Sequence, residues 1–141
     1  MKHLPKLMLL LLAACGAPAL PEAQRIDGID WILVDMDGLP WGHDVSLRID
    51  GDRLTGVGPC NAYAGAQAAS PPGFAARAVK ATDMPCADPV RVRAEAEYLD
   101  HLGRAEAMRR DRARLVLTGP GGAMICEKRE ARGDDVFQCS T

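Results

Sequence analysis

Val45-Ser46-Leu47-Arg48-Ile49-Asp50-Gly51-Asp52-Arg53-Leu54-Thr55-Gly56-Val57 reads as a β-hairpin, and it sets the fold class. Val45, Leu47 and Ile49 alternate with Ser46, Arg48 and Asp50, the period of two that turns one side of a strand to a core and the other to water. Gly51-Asp52 supplies a two-residue turn into the second strand, Arg53 to Val57. Strand signals continue on both sides. Upstream, Ile29 to Val34 is a β-branched run holding Trp31, predicted to be a buried first strand, and Asp37-Gly38 supplies its turn. Downstream, Gly58-Pro59-Cys60-Asn61 breaks the pattern. Extended structure is predicted over Tyr63 to Ala69 and, after the Ser70-Pro71-Pro72-Gly73 loop, over Phe74 to Ala81.

Asp88-Pro89 is a helix start, with a side-chain oxygen to cap free amides and a proline whose missing N–H costs nothing at the first position. Val90, Ala94, Tyr98 (or Leu99) and Leu102 recur at helical spacing, and Gly103 is predicted to end the helix in the left-handed conformation. Met108 opens another extended stretch, Leu115-Val116-Leu117 is a strand, Thr118 to Gly122 is a turn, Ala123 to Lys128 returns, and Val136 to Cys139 adds a final edge strand. Strands, one helix, then strands, without strand–helix alternation, argue against a parallel sheet. The expected fold is mainly β (α+β): a small antiparallel sheet curled into a partial or complete β-barrel with one helix packed across it.

The chain opens with basic Lys2 and Lys6, an apolar run from Leu7 to Ala14, too short to span a bilayer of roughly 30 Å, and then Cys15. Leu12-Ala13-Ala14-Cys15 resembles the bacterial lipobox, which implies cleavage before Cys15, a diacylglycerol thioether on its sulfur and acylation of the new amino terminus. An ordinary secretory peptide is the alternative. The expected organisation is a signal peptide over 1–14, a lipidated Ala/Pro-rich tether over 15–25 and one folded domain over 26–141. Cleavage leaves 127 residues, enough for one domain, and takes the formal charge from −2 to −4 as Lys2 and Lys6 go. No basic run is long enough for a nucleic-acid footprint, so nucleic acid is not an expected partner.

Cys60, Cys86, Cys126 and Cys139 remain, an even number in an exported chain, and read as two disulfides. Of three connectivities, Cys60 with Cys86 and Cys126 with Cys139 is favoured because each closes a single local excursion. Each bridge would contribute about 3 kcal/mol by loop-closure entropy. A metal site is not expected: no Cys-x-x-Cys or Cys-x-x-His spacing is present, and His43 and His101 are the only histidines after the leader.

Trp31, Asp37-Gly38, Gly56 to Gly65 with Cys60-Asn61-Ala62-Tyr63-Ala64-Gly65, Thr82-Asp83-Met84-Pro85-Cys86, Glu95 to Leu102 and Leu115-Val116-Leu117 together resemble the META domain family, also called HslJ-like, over about residues 29 to 128. The two irregular cysteine motifs, in order, carry most of the likeness. The resemblance implies a small β-rich domain in the bacterial envelope, often lipid-anchored, associated with stress tolerance and antibiotic resistance, and it supports pairing Cys60 with Cys86. Pro59 stands where the family often has glycine, so the turn before Cys60 is expected to differ.

Asp35-Met36-Asp37-Gly38 after an apolar strand also resembles the nucleophile motif of haloacid-dehalogenase-type phosphatases, with Gly133-Asp134-Asp135 as distal metal-binding acids. That chemistry needs βαβ crossovers, so a hairpin turn is the preferred reading. His43 and His101 lack partner patterns and read as bystanders. Glu95 and Glu97 with Arg91, Arg93 and Arg104 read as a solvated helix face, and Asn61 as a loop-structuring amide. Arg109, Arg110, Arg112 and Arg114 form a basic patch, read as a strand surface or turn, with an anionic lipid or glycan contact as the sharper alternative. No catalytic set and no cofactor are expected. The sequence therefore points to a monomeric, non-enzymatic envelope module held to a membrane through lipid on Cys15. Outer-membrane attachment facing the periplasm is expected, because Gly16 rather than Asp follows Cys15, as in diderm lipoproteins. The partner is an envelope protein or small molecule of unspecified identity. The alternatives are a small protein inhibitor of an envelope hydrolase, resembling lysozyme inhibitors, and a Mg²⁺-dependent phosphatase using Asp35 and Asp37.

Overall fold

A computed structural model describes residues 25–130. Along the chain run β1 (Asp30–Met36), β2 (Leu39–Pro40), β3 (Ser46–Asp50), β4 (Arg53–Val57), β5 (Ala62–Gln67), β6 (Ala76–Ala81), α1 (Pro89–Arg104), β7 (Ala107–Asp111), β8 (Arg114–Gly119) and β9 (Gly122–Lys128). The leader, Cys15, the tether up to Gln24, Gly133-Asp134-Asp135 and the strand expected over Val136 to Cys139 lie outside the described residues.

The sheet order is β6-β5-β4-β3-β1-β9-β8-β7, with β2 paired to β1, and every pairing among the described residues is antiparallel. Short turns, and one longer loop between β5 and β6, build two meanders, β3 to β6 and β7 to β9. β1 sits between them and joins both, to β3 on one side and β9 on the other. The expected hairpin forms in register from Ser46↔Val57 to Asp50↔Arg53. Asp37 and Gly38, with φ of 56° and 80°, make the β1–β2 turn.

The sheet curls into a half-barrel whose outer edges approach one another. Gly73 bridges Ala107, Phe74 N donates to Glu106 O at 2.8 Å and Met108 N to Pro72 O at 2.8 Å, so the loop before β6 closes on β7. Gln67, the buried polar side chain of the core, holds that loop: Nε2 donates to the Ala69 and Gly73 carbonyls and Oε1 accepts from Ala75 N.

Inside lie Trp31, Leu33, Met36, Leu47, Ile49, Leu54, Leu115 and Leu117. A register shift between Leu33 and Asp35 explains why β1 buries Met36 rather than continuing strict alternation. Across the open face lies α1, touching β6 and β9 and burying Ala94, Tyr98 and Leu102. Asp88 caps it, accepting from Val90 N at 2.9 Å. Two helix expectations are corrected. Val90 is 62% exposed, in a first turn exposed throughout, and burial begins at Ala94. Gly103 stays helical, and the helix ends by passing straight into extended backbone at buried Ala105, whose neighbour Glu106 donates its N–H to Thr118 O.

Candidate functional site

The two cysteine motifs meet at one corner of the half-barrel, beside the start of α1. Cys60 and Cys86 form a disulfide, with Cα atoms 5.8 Å apart. Asn61 ties the segments side by side: its Oδ1 accepts from Thr82 Oγ1 at 2.9 Å and from Met84 N at 2.8 Å. Glu95 then fastens both to the helix. Its carboxylate accepts from Cys60 N (2.8 Å), Asn61 N (2.7 Å) and Asn61 Nδ2 (2.8 Å). Hydrogen bonds to a charged acceptor contribute about 1.5–3 kcal/mol each, so this carboxylate is a principal link between helix and sheet. Gly58 leaves room for it; a Cβ there would sit 2.8 Å from Glu95 Oε2. The turn before Cys60 closes through Gly58 N to Asn61 O at 2.7 Å, and the Arg91 guanidinium donates to the Pro59 carbonyl.

Beneath this corner, Tyr63 and Tyr98 bring their hydroxyls together. Tyr63 donates to Ser46 O at 2.7 Å, so Tyr98 is the donor between the two rings. Burial pushes both phenols above their ordinary pKa.

A second constellation lies at the far end of α1. His101 Nδ1 faces Glu97 O at 3.0 Å and Nε2 faces Asp37 Oδ2 at 2.9 Å, while Asp37 Oδ1 accepts from Ala123 N at 2.8 Å. Both ring nitrogens face acceptors, an arrangement satisfied by the doubly protonated ring. Burial opposes that charge, but the Asp37 and Glu97 hydrogen bonds outweigh it and raise the His101 pKa. The hydrogen bond from His101, followed by the one from Ala123 N, lowers the Asp37 pKa. Asp35 Oδ1 accepts from Gly38 N at 2.9 Å within the hairpin turn.

His101 is thus a pin between helix and hairpin rather than a bystander, whereas His43 only stands edge-on to Trp41. Glu95 faces the sheet instead of solvent. Its signal was its position three and seven residues before Tyr98 and Leu102, which puts it on the buried side of the helix. Cys126 is a free thiol, 2% exposed on the inner face of β9, and its expected partner Cys139 lies outside the described residues. Burial pushes the Cys126 thiol up to about 12. Among the described residues no three His, Cys, Asp or Glu side chains converge on one point, and no helix is long and apolar enough to cross a membrane.

No functionally curated protein matches the chain significantly. Two solved structures do. An NMR structure of a protein from Burkholderia xenovorans superposes with a TM-score of 0.59 at 18% identity, covering 87% of this chain and 100% of that one. A second NMR structure has a TM-score of 0.57 at 17% identity, covering 72% of this chain and 90% of the other. At that identity the likeness is one of fold. The META domain model matches residues 24–131, the whole half-barrel with its helix and both cysteine motifs, and the chain belongs to the META domain family.

Proposed function

We infer that the chain is a lipid-anchored bacterial envelope protein whose META domain acts as a non-enzymatic binding or protective module in envelope stress or antibiotic tolerance. The observation that carries this reading is that Asp35, Asp37, Glu95, His101 and the paired tyrosines are engaged in holding the domain together. Glu95 is bound to two backbone amides, Asp37 to Ala123 N and His101, Asp35 to Gly38 N, and the tyrosine hydroxyls to each other and to Ser46. A group so engaged must break those bonds before it can serve a substrate. The leader over 1–14, followed by Cys15, supports the address. Cys15→Ser is expected to abolish fatty-acid labelling, to leave uncleaved precursor and to fail to restore stress tolerance to a deletion strain that the wild type restores. Unchanged labelling would overturn the anchor. Hydrolysis of a generic phosphoester by the purified chain, lost in Asp35→Asn, would overturn the non-enzymatic reading.

One observation favours the inhibitor alternative. Val57, Met84, Val90 and Val92 are 54%, 64%, 62% and 49% exposed on the segments that surround the Cys60–Cys86 corner. Exposed apolar side chains gathered on a rigid corner suit a protein partner. Co-purification with an envelope hydrolase and loss of that hydrolase's activity on adding the chain would favour it.

A further inference from the structure

The chain leaves the described domain at Arg25, and Arg25 is fastened to the basic hairpin. Arg110 donates from its guanidinium to the Arg25 carbonyl and lies 5.5 Å from the centre of the Trp31 ring. Around that point converge the β7–β8 turn and the end of β9: Lys128 N donates to Ala113 O, Arg129 N to Asp30 O, and Lys128 pairs with Trp31. Arg109 pairs with Asp111 and Arg114 with Glu127, which neutralises those charges locally. Arg25, Arg112, Lys128 and Arg129 are exposed beside Arg110, with Asp27, Asp52 and Glu130 as the exposed acids of the same end. On the neighbouring strands Arg48 is held between Asp30 and Asp50. A chain with an overall charge of −2 thus gathers positive charge at the place where its amino-terminal segment emerges.

We propose that this basic end is a membrane-facing surface that lies against anionic phospholipid headgroups and orients the domain on the bilayer. The proposal rests on the lipid anchor at Cys15. From Cys15 to Arg25 the chain has ten steps of at most about 3.6 Å, a reach of roughly 35 Å. That is comparable to the diameter of a 100-residue domain, whose radius of gyration is roughly 13 Å. A charged face is felt only within about one Debye length, roughly 8 Å at physiological salt, so what matters is which face the tether brings closest. The tether emerges from the basic one. The Cys60–Cys86 corner, where β4 ends and β5 begins, is then turned toward the aqueous side and free to meet a partner.

Two lysines provide the test, since Lys80 and Lys128 are the only ones beyond the leader. Lys128 belongs to the basic end. Lys80, on β6 opposite Ala64, lies toward the disulfide corner. The full chain, purified in the form made by the cell, is reconstituted on phosphatidylcholine vesicles with or without phosphatidylglycerol and exposed briefly to an amine-acylating reagent. Phosphatidylglycerol should slow modification of Lys128 several-fold and leave Lys80 unchanged, and added salt should remove the difference. The double charge reversal Arg112→Glu, Arg129→Glu should abolish the protection while the chain still floats with the vesicles. Equal Lys128 rates on both vesicle types, or protection of Lys80 instead, with the chain still floating, overturns the oriented surface and leaves the anchor standing. A chain that neither floats nor shows protection overturns both.

Discussion

Gly56 shows how tightly a single position is specified. It stands opposite Tyr63 in the β4–β5 ladder, and a methyl group there would run into the Ser46 carbonyl oxygen and the Tyr63 hydroxyl. The space a side chain would fill is occupied by the hydrogen bond that satisfies a buried phenol. Gly56→Ala is therefore expected to force the Tyr63–Ser46 contact apart and to cost about 2–3 kcal/mol, the sum of a local overpacking and a buried polar group left unpaired. Urea denaturation reads this directly; a midpoint equal to that of the wild type would contradict the close approach. In the sequence, Gly56 is one more small residue in an alternating run. Its role is invisible there because it depends on a tyrosine seven residues on and a carbonyl ten residues back, brought together only by the pairing of three strands.

Among the elements, α1 joins the sheet through a carboxylate near its middle and an imidazole near its end. The helix, its capping aspartate and most strands were legible, because periodicity and Asp88-Pro89 are local signals. The attachments were not, since a charged residue on a helix reads as solvated until the facing element is known; so it was with Glu95, and with the His101–Asp37 pair. The latter has a defined pH signature. His101, raised on folding, contributes stability that is fully present below its unfolded value of about 6.5 and is lost as pH rises through the folded value. Asp37, lowered on folding, contributes stability present above about pH 4 and lost as pH falls through its folded value. The pair is thus strongest between about pH 4 and 6.5. Asp37→Asn tolerates the positive φ of 56° and retains an acceptor for Ala123 N, while it removes the charge and the second acceptor that faces His101 Nε2. Thermal midpoints of wild type and Asp37→Asn should differ most within that window and converge above it, whereas parallel curves from pH 4 to 9 would rule out the charged pair.

At the scale of the whole domain, a half-barrel of two meanders is held together by β1, by the loop that Gln67 pins against β7 and by the Cys60–Cys86 disulfide, and the question is whether these act as one unit. The sheet class and the curl followed from the strand order, but the closure did not, because it is made by loop backbone around Gly73 that carries no strand signal. Cys126 offers a reporter of the whole. Buried on the inner face of β9, with its pKa pushed up to about 12, its thiol can react only when the sheet opens. Native-state alkylation, read by mass spectrometry on the peptide containing Cys126, should therefore proceed at the rate set by unfolding and accelerate with added urea. The disulfide lies elsewhere, between the β4–β5 turn and the segment before α1, and links residues 26 apart. Its loss should cost about 3.5 kcal/mol if the entire domain unfolds cooperatively, so reduction should speed Cys126 labelling by roughly 10²–10³-fold under conditions where reclosing is fast. Labelling that ignores reduction would mean that β9 opens independently of the cysteine corner and that the two meanders are separate folding units.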